Sequence, residues 1–212
     1  MQREESEGDS YPNNLRLRVH RAISWIQRAE MAAVDGDPDI AFTCYWIAFN
    51  AAYAEDTAHA AEVTARALFA DYFDKILRLD DGGTIVNAIW EQLSGPVNDI
   101  LDNQYVYEPF WKHVNGVSGH DNWEARLRSD MQAINQARAG QKTDLLLATL
   151  FDRLYVLRNQ ILHGGATWNS SVNRKQVDDG AEIMAFLIPC FVGVMMDHPD
   201  EPWGANYYPV VN

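Results

Sequence analysis

The most informative part of this sequence is residues 142–165, KTDLLLATLFDRLYVLRNQILHGG. Its leucines and one isoleucine recur every three or four positions, so they would share one face of an α-helix. Thr143 and Asp144 are residue types that cap helix starts, and Gly164-Gly165 allows the left-handed backbone that ends a helix. The stretch therefore predicts a long core helix that ends at the glycine pair. Its predicted buried face comprises Leu146, Leu147, Leu150, Leu154, Leu157 and Ile161.

Helical periodicity also dominates the chain on both sides of this stretch. No segment of useful length alternates apolar and polar residues as a half-buried strand would. The pattern predicts an all-α fold, an up-and-down helical bundle with a helical or loop-like insertion at about residues 81–138. The other predicted helices span residues 15–34, 40–54, 60–79, 84–94, 97–102, 122–139 and 176–197.

Length and composition suit a single folded domain. The chain has 212 residues, of which 47% are hydrophobic, enough for a sizeable core. We predict one helical domain over residues 13–199, a disordered tail over 1–12 and an extended tail over 200–212. The acidic start is unlike a secretory or mitochondrial signal. The longest apolar run, residues 183–196, is shorter than the roughly 20 residues of a bilayer span. These features predict a cytoplasmic protein with no membrane partner.

The net charge of −13 bears on the partners of the chain. Proteins that bind duplex DNA usually carry positive charge, so duplex DNA is not an expected partner. A site for nucleic acid would have to be local. One such window exists, because no acidic residue lies between Asp152 and Asp178. The basic residues in this window are Arg153, Arg158, Arg174 and Lys175.

Signals for a metal, a cofactor or an enzyme nucleophile are weak. The two cysteines, Cys44 and Cys190, form no CxxC pair, and the chain has no GxSxG elbow or glycine-rich phosphate loop. Glu55, His59 and Glu62 would share one helix face. A di-iron bundle needs two carboxylate-x-x-histidine motifs. This sequence has one, Asp56-Thr57-Ala58-His59, and lacks a second. We therefore expect no metal and no cofactor, and we interpret the three residues as a solvated charged face.

Three polar residues at the end of the long helix form the candidate catalytic group. Arg158, Asn159 and His163 fall in the last turns before the glycine stop. Arginine pairs with phosphate through a planar, permanently charged fork, and imidazole accepts or donates protons near neutral pH. The group also has an ordinary structural interpretation, in which Arg158 pairs with a nearby carboxylate and His163 caps the helix end.

The order Arg158-Asn159-Gln160-Ile161-Leu162-His163 resembles the motif of the HEPN superfamily. These proteins are helical bundles whose ribonuclease members carry an arginine, a polar residue, three variable residues and a histidine. The apolar stretch WIAFNAAY, residues 46–53, is similar to their early core helix. Asn50 within it is either a hydrogen-bonding hub of the core or part of a site. The resemblance covers the first two and the last two helices and does not extend to residues 81–138.

The resemblance implies a metal-independent ribonuclease that acts as a homodimer, often in toxin–antitoxin, abortive-infection or CRISPR-associated defence. RNA would be the substrate, and an antitoxin or other regulatory protein would be a further partner. In family members silenced by nucleotidyl transfer, a tyrosine lies two residues after the histidine. Here that position is Gly165, so such silencing is not implied. The catalytic residues would be Arg158, Asn159 and His163, and the RNA-binding residues Arg153, Arg174 and Lys175.

RNA can be cut without a metal or an enzyme nucleophile, because its 2′-hydroxyl lies beside the scissile phosphate. Arg158 and His163 are separated by roughly 140° around an ideal helix, so one helix cannot easily aim both at one phosphate. We therefore predict that two copies meet across a two-fold axis and build one composite site. The alternative is a non-catalytic HEPN-like module that binds a nucleotide or a protein partner.

Overall fold

The computed structural model of the chain describes residues 10–54, 65–206 and 208, with the backbone alone for residues 65–68. All regular secondary structure in these residues is helical, which confirms the predicted all-α bundle. Residues 60–64 of the predicted third helix lie outside the described ranges. The α-helices are α1 (Asn13–Val34), α2 (Pro38–Tyr53), α3 (Ala65–Leu79), α4 (Thr84–Asn87), α5 (Ser94–Leu101), α6 (Glu108–Val114), α7 (Trp123–Ala139), α8 (Thr143–Leu162) and α9 (Arg174–Asp197).

Helices α1 and α2 pack against each other more extensively than any other pair of described helices. The short turn between them ends α1 and starts α2. Gly36 has a φ of +73°, a left-handed conformation that glycine adopts without strain. The carboxylate of Asp37 accepts the backbone N–H of Ile40 at 3.1 Å and so caps α2. Pro38 occupies the first turn of α2, where no intrahelical N–H is needed. Helix α9 packs along both helices of the pair.

Helix α8 carries the predicted leucine face into the core. The five leucines of that face are buried, Phe151 is buried beside them and Ile161 is half-buried. The predicted cap at its start is wrong, because Lys142 is the N-cap residue and no side chain bonds there. The hydroxyl of Thr143 instead accepts a hydrogen bond from the indole N–H of Trp90 at 2.9 Å.

Helix α9 passes very close to α2 and α8 at Gly180. A Cβ atom at this position would lie 2.9 Å from Cδ2 of Leu157 and 3.1 Å from Cε2 of Phe42. Both neighbours are fully buried, so they have little room to move. This glycine therefore sets the distance between α9 and the helix that carries the candidate site.

The middle of the chain contributes to the same core. Helix α4 is continued by a π-helical turn, Ala88–Gln92, and α5 begins directly afterwards. Gly95-Pro96 was expected to halt a helix, but it lies in the first turn of α5, where proline is tolerated. Further along, a 3₁₀ turn, Gln104–Val106, leads into α6. The buried apolar residues of this region include Ile85, Ile89, Val97, Ile100 and Leu101.

Residues of both predicted tails pack against the bundle. Tyr11, which falls in the tail predicted to be disordered, is buried against the core. Trp203 is buried too, and its indole N–H donates to the backbone oxygen of His198 at 2.9 Å. The guanidinium of Arg18 reaches across to the backbone oxygen of Ala205 at 2.7 Å. The segment after α9 therefore lies on the bundle near α1.

One described helix, α9, is long and apolar enough to cross a membrane by length and composition. Its most apolar stretch is 67% buried inside the bundle. That burial is the behaviour of a core helix.

Candidate functional site

The candidate catalytic group lies where α8 ends. The helix ends at Leu162, and His163 is the C-cap residue rather than part of the last turn. Gly164 follows with a φ of +71°, and the backbone N–H of Gly165 bonds to the carbonyl of Gln160 at 2.7 Å. The predicted glycine stop is therefore present. Arg158 and Asn159 are held by the helix, while His163 is carried by the turn that follows.

Arg158 is half-buried and has little protein pairing. Its Nη1 donates to Oδ1 of Asn159 at 2.9 Å, while its buried Nε has no hydrogen-bond partner. No carboxylate in the described part of the chain pairs with its guanidinium. A half-buried cation without a counter-ion is costly unless a ligand or solvent supplies the missing partner. The salt bridge of the structural interpretation is therefore not formed by any described residue.

The side chain of Asn159 is hydrogen-bonded to Arg158. Its Oδ1 accepts from the guanidinium, so the amide holds one edge of the arginine fork. Its backbone carbonyl also accepts the N–H of His163 at 3.0 Å. The resemblance implies a catalytic role for Asn159. The side-chain contact observed for it is with Arg158.

The imidazole of His163 is exposed at the helix end. Within the described ranges no side chain or backbone group hydrogen-bonds to it. It is therefore not joined to Arg158 or Asn159 by any side-chain hydrogen bond in one copy of the chain. Arg158 lines a cavity that His163 does not line.

Arg158 lies at the edge of a cavity of about 660 Å³. This cavity, here called the arginine cleft, is formed by α1, α2, α8 and the segment after α9. Asn50, which stood out in the sequence as a buried amide, lines it, whereas His163 does not. Its lining residues are Arg21, Trp25, Trp46, Ile47, Asn50, Ala51, Tyr53, Ala54, Tyr155, Arg158, Asn206 and Tyr208.

The arginine cleft contains several residues that the sequence did not single out. Arg21 and Trp25 are four positions apart on α1, and Tyr155 and Arg158 are three apart on α8, so each pair shares a helix face. That spacing was visible, but arginine and tryptophan on an exposed helix face are ordinary surface residues. Only the folded bundle, in which α1 and α8 line the same cavity, gives the pairs a common role.

Arg153 lies apart from this group. It is 4% exposed, and its guanidinium lies over the ring of Tyr107 with 4.1 Å to the ring centroid. Tyr107 in turn donates its hydroxyl hydrogen to Asp130 at 2.8 Å. Burial and this hydrogen bond raise the pKa of Tyr107 to about 12. Arg153 therefore packs in the wall between α8 and the middle segment, away from open solvent.

Arg174 and Lys175 lie at the start of α9 and pair with carboxylates. Both terminal nitrogens of Arg174 lie 2.8 Å from Oδ2 of Asp39. The ammonium of Lys175 lies 2.7 Å from Asp99 and 3.0 Å from Asp179, and these hydrogen bonds raise its pKa. The structure does not bring these cations together with Arg158. Two of the four cations of the basic window are thus paired with acidic residues from outside it.

A residue of the insertion, Tyr105, contacts α8 at Gln160, within the Arg158–His163 motif. The side-chain amide of Gln160 donates to the backbone oxygen of Tyr105, which also accepts the indole N–H of Trp111 at 2.7 Å. Tyr105 is about half exposed. Residues of the insertion therefore lie beside the last turn of α8.

No metal site emerges in the part of the chain that the structure describes. No group of three histidine, cysteine, aspartate or glutamate side chains is arranged there to hold an ion. Glu55, His59 and Glu62 lie outside the described residues.

Comparison with protein-family models, with curated proteins and with solved structures gave no match for this chain. The HEPN resemblance therefore rests on the motif and on the early core helix alone.

Proposed function

We propose that this protein is a metal-independent endoribonuclease of the HEPN type. The observation that carries the proposal is the guanidinium of Arg158. It is half-buried, held on one edge by Asn159, without a carboxylate partner among the described residues, and open to a cleft. Such a group stabilises the negative charge that builds up on a phosphate during cleavage. The buried Nε of Arg158 has no hydrogen-bond partner among the described residues and so remains available to a phosphate oxygen.

The reaction uses the 2′-hydroxyl of the RNA as its nucleophile. A base removes the proton of that hydroxyl, and its oxygen attacks the adjacent phosphorus. The bond from phosphorus to the 5′-oxygen breaks, and an acid gives this leaving oxygen a proton. The products are a 2′,3′-cyclic phosphate and a free 5′-hydroxyl. Arg158 holds the phosphate, and His163, exposed and with no bond to other described side chains, handles protons.

A homodimer would bring Arg158 and His163 to the same phosphate. His163 does not line the cleft that Arg158 lines, so one copy does not aim both groups at one phosphate. A second copy related by a two-fold axis brings its own histidine towards the arginine of the first. The arginine of one copy and the histidine of the other then act together on one phosphate.

The family resemblance suggests a setting for this activity. Ribonucleases of this type often act as toxins or in phage defence, and we propose a cytoplasmic RNA as the substrate. An antitoxin or another regulatory protein would restrain the enzyme. Neither a membrane nor duplex DNA is proposed as a partner.

Cleavage assays with matched variants test the proposal. The full chain is incubated with single-stranded RNA of mixed sequence in EDTA. We expect cleavage that leaves 2′,3′-cyclic phosphate ends. Arg158→Ala and His163→Ala should each lower the rate by about 100-fold or more. Arg128→Ala and His113→Ala, which remove exposed residues elsewhere, should cleave at the wild-type rate.

Mixing the two inactive variants tests the composite site. If arginine and histidine come from different copies, the mixture of Arg158→Ala and His163→Ala regains cleavage that neither variant has alone. If a monomeric protein cleaves RNA at micromolar concentration, the homodimer is wrong. If the wild type cleaves no RNA, or if both variants keep its activity, the enzyme proposal is wrong. The non-catalytic HEPN-like binding module would then be favoured, because the arginine cleft has the size of a ligand pocket.

A further inference from the structure

The arginine cleft is lined by positive charge in a chain whose net charge is negative. The whole chain carries a net charge of −13, yet no aspartate or glutamate among the described residues lines this cavity. Two arginines do, Arg21 and Arg158, and neither has a carboxylate partner in the described chain. Arg21 bonds instead to the backbone oxygen of Tyr208, and Arg158 to the amide oxygen of Asn159. Two cations that face one cavity and have no counter-ion among the described residues attract an anionic ligand.

Aromatic rings line the same cavity. Trp25 on α1 is 39% exposed and Tyr155 on α8 is 38% exposed, so their rings are open to a ligand. Trp46 is buried and forms a fixed inner surface, since its ring packs 5.7 Å from that of Phe49 and 6.1 Å from that of Tyr155. Exposed aromatic rings beside cations are the combination that binds single-stranded nucleic acid, through stacking and phosphate contacts.

Polar groups without protein partners complete the cavity. The side-chain amide of Asn50 and the hydroxyl of Tyr53 both line it, and neither bonds to any described residue. Tyr53 is fixed in place because its ring stacks on Phe49, with 4.5 Å between the ring centroids. An amide offers both a donor and an acceptor, which is what the edge of a nucleobase needs. The size of the cavity, about 660 Å³, is in the range of pockets that enclose a whole small ligand.

We infer that the arginine cleft binds one unstacked nucleotide, with its base against Trp25 and Tyr155 and its phosphate between Arg21 and Arg158. The amide of Asn50 bonds to the base edge. A base must leave its stack to enter, so the ligand is a single strand or a free nucleotide and not a duplex. The further identification of this nucleotide as the one next to the scissile phosphate rests on the proposed ribonuclease function. Nucleotide binding itself does not depend on that function.

The test measures binding separately from cleavage. The full-length His163→Ala variant is titrated with adenosine 5′-monophosphate and with a four-residue oligoribonucleotide, and binding is followed by tryptophan fluorescence and calorimetry. We expect saturable binding of both probes. Trp25→Ala and Asn50→Ala should each weaken it about tenfold, since stacking and base-edge bonds carry the affinity. Trp25→Phe, which keeps a ring, should retain most of it.

Trp168→Ala is the matched control. Trp168 is 70% exposed, its indole N–H bonds to Asp37 and it does not line the cleft, so its removal should leave the affinity unchanged. Double-stranded RNA should compete poorly. The inference is overturned if neither probe binds at millimolar concentration, or if the cleft variants bind as tightly as the parent. It is also overturned if inorganic phosphate competes as well as the nucleotide.

The outcomes also separate this inference from the proposed function. If the wild-type protein binds nucleotide but cleaves no RNA, nucleotide binding in the cleft is supported and the ribonuclease proposal is wrong. If the protein binds no nucleotide and cleaves RNA equally well with and without the Trp25 ring, the ribonuclease proposal is supported and nucleotide binding in the cleft is wrong.

Discussion

Arg174 of the last helix and Asp39 of α2 form an ion pair in which both terminal nitrogens of the arginine contact one carboxylate. The two residues lie 135 positions apart, and both terminal nitrogens of the guanidinium approach one carboxylate oxygen at 2.8 Å. Asp39 is buried, so its carboxylate has little contact with solvent and is hydrogen-bonded by Arg174 instead. The contact ties the first turn of α9 to the first turn of α2.

The Arg174–Asp39 contact predicts a loss of stability without a loss of catalysis. Arg174→Gln should lower the free energy of unfolding by about 2–3 kcal/mol, because it leaves a buried carboxylate without a counter-ion. Chemical denaturation measures this change. The rate of RNA cleavage per folded molecule should stay at the wild-type value. A lower kcat/KM at unchanged stability would instead support the RNA-binding role that the sequence suggested for Arg174.

Asn159 should act on the orientation of Arg158. Asn159→Ala removes the acceptor for Nη1, so we expect cleavage to slow about tenfold while the melting temperature stays unchanged. Asn159→Asp keeps an acceptor in the same place but adds a negative charge beside the arginine. It should therefore slow cleavage more than the alanine variant. Equal rates for the two variants would show that the amide does not act through the guanidinium.

Gly180 should be intolerant of a methyl group. Gly180→Ala places a Cβ atom against Leu157 and Phe42, and we expect the protein to lose about 1–2 kcal/mol of stability by overpacking. Gly193→Ala in the same helix is the matched control, because nothing lies within 4 Å of a Cβ atom there. That change should gain about 0.5–1 kcal/mol from helix propensity. Thermal unfolding measures both. Equal effects of the two substitutions would contradict the close approach.

Stability should fall in alkaline solution partly because of Tyr53. Burial, and then the neighbouring Tyr155, raise the pKa of Tyr53 to about 12 from its ordinary value of 10.0. Since the folded state holds this proton more tightly than the unfolded state, its contribution is complete below about pH 10. That contribution is lost as the pH rises from about 10 to 12, and amounts to about 3 kcal/mol in full. Tyr53→Phe should show a shallower loss over this window in pH-dependent denaturation.

The helices were predictable from the sequence because apolar periodicity and turn residues are local signals. The leucine face of α8, the Gly36–Asp37–Pro38 turn and the glycine stop after His163 all appear where the pattern indicates. The absence of the expected cap at Thr143 was not predictable, because the threonine hydroxyl accepts a hydrogen bond from Trp90, 53 positions away. Local spacing carries no information about such a partner.

The candidate site was only partly predictable, for a similar reason. Arg158 stood out through its motif with Asn159 and His163, and Asn50 because it is polar in an apolar helix. The basic window did not predict a basic surface, since Arg174 and Lys175 find Asp39 and Asp99 only in the folded chain. Arg21 and Trp25 resemble ordinary surface residues in the sequence, because only the folded chain places them in one cavity with Tyr155 and Arg158.

The far wall of the arginine cleft is supplied by residues close to position 208. Arg21 holds this wall through the backbone oxygen of Tyr208 at 2.7 Å, across 187 positions. Translation runs from the other end, so a growing chain has α1, α2 and α8 outside the ribosome before this wall is made. The pocket is therefore incomplete during synthesis.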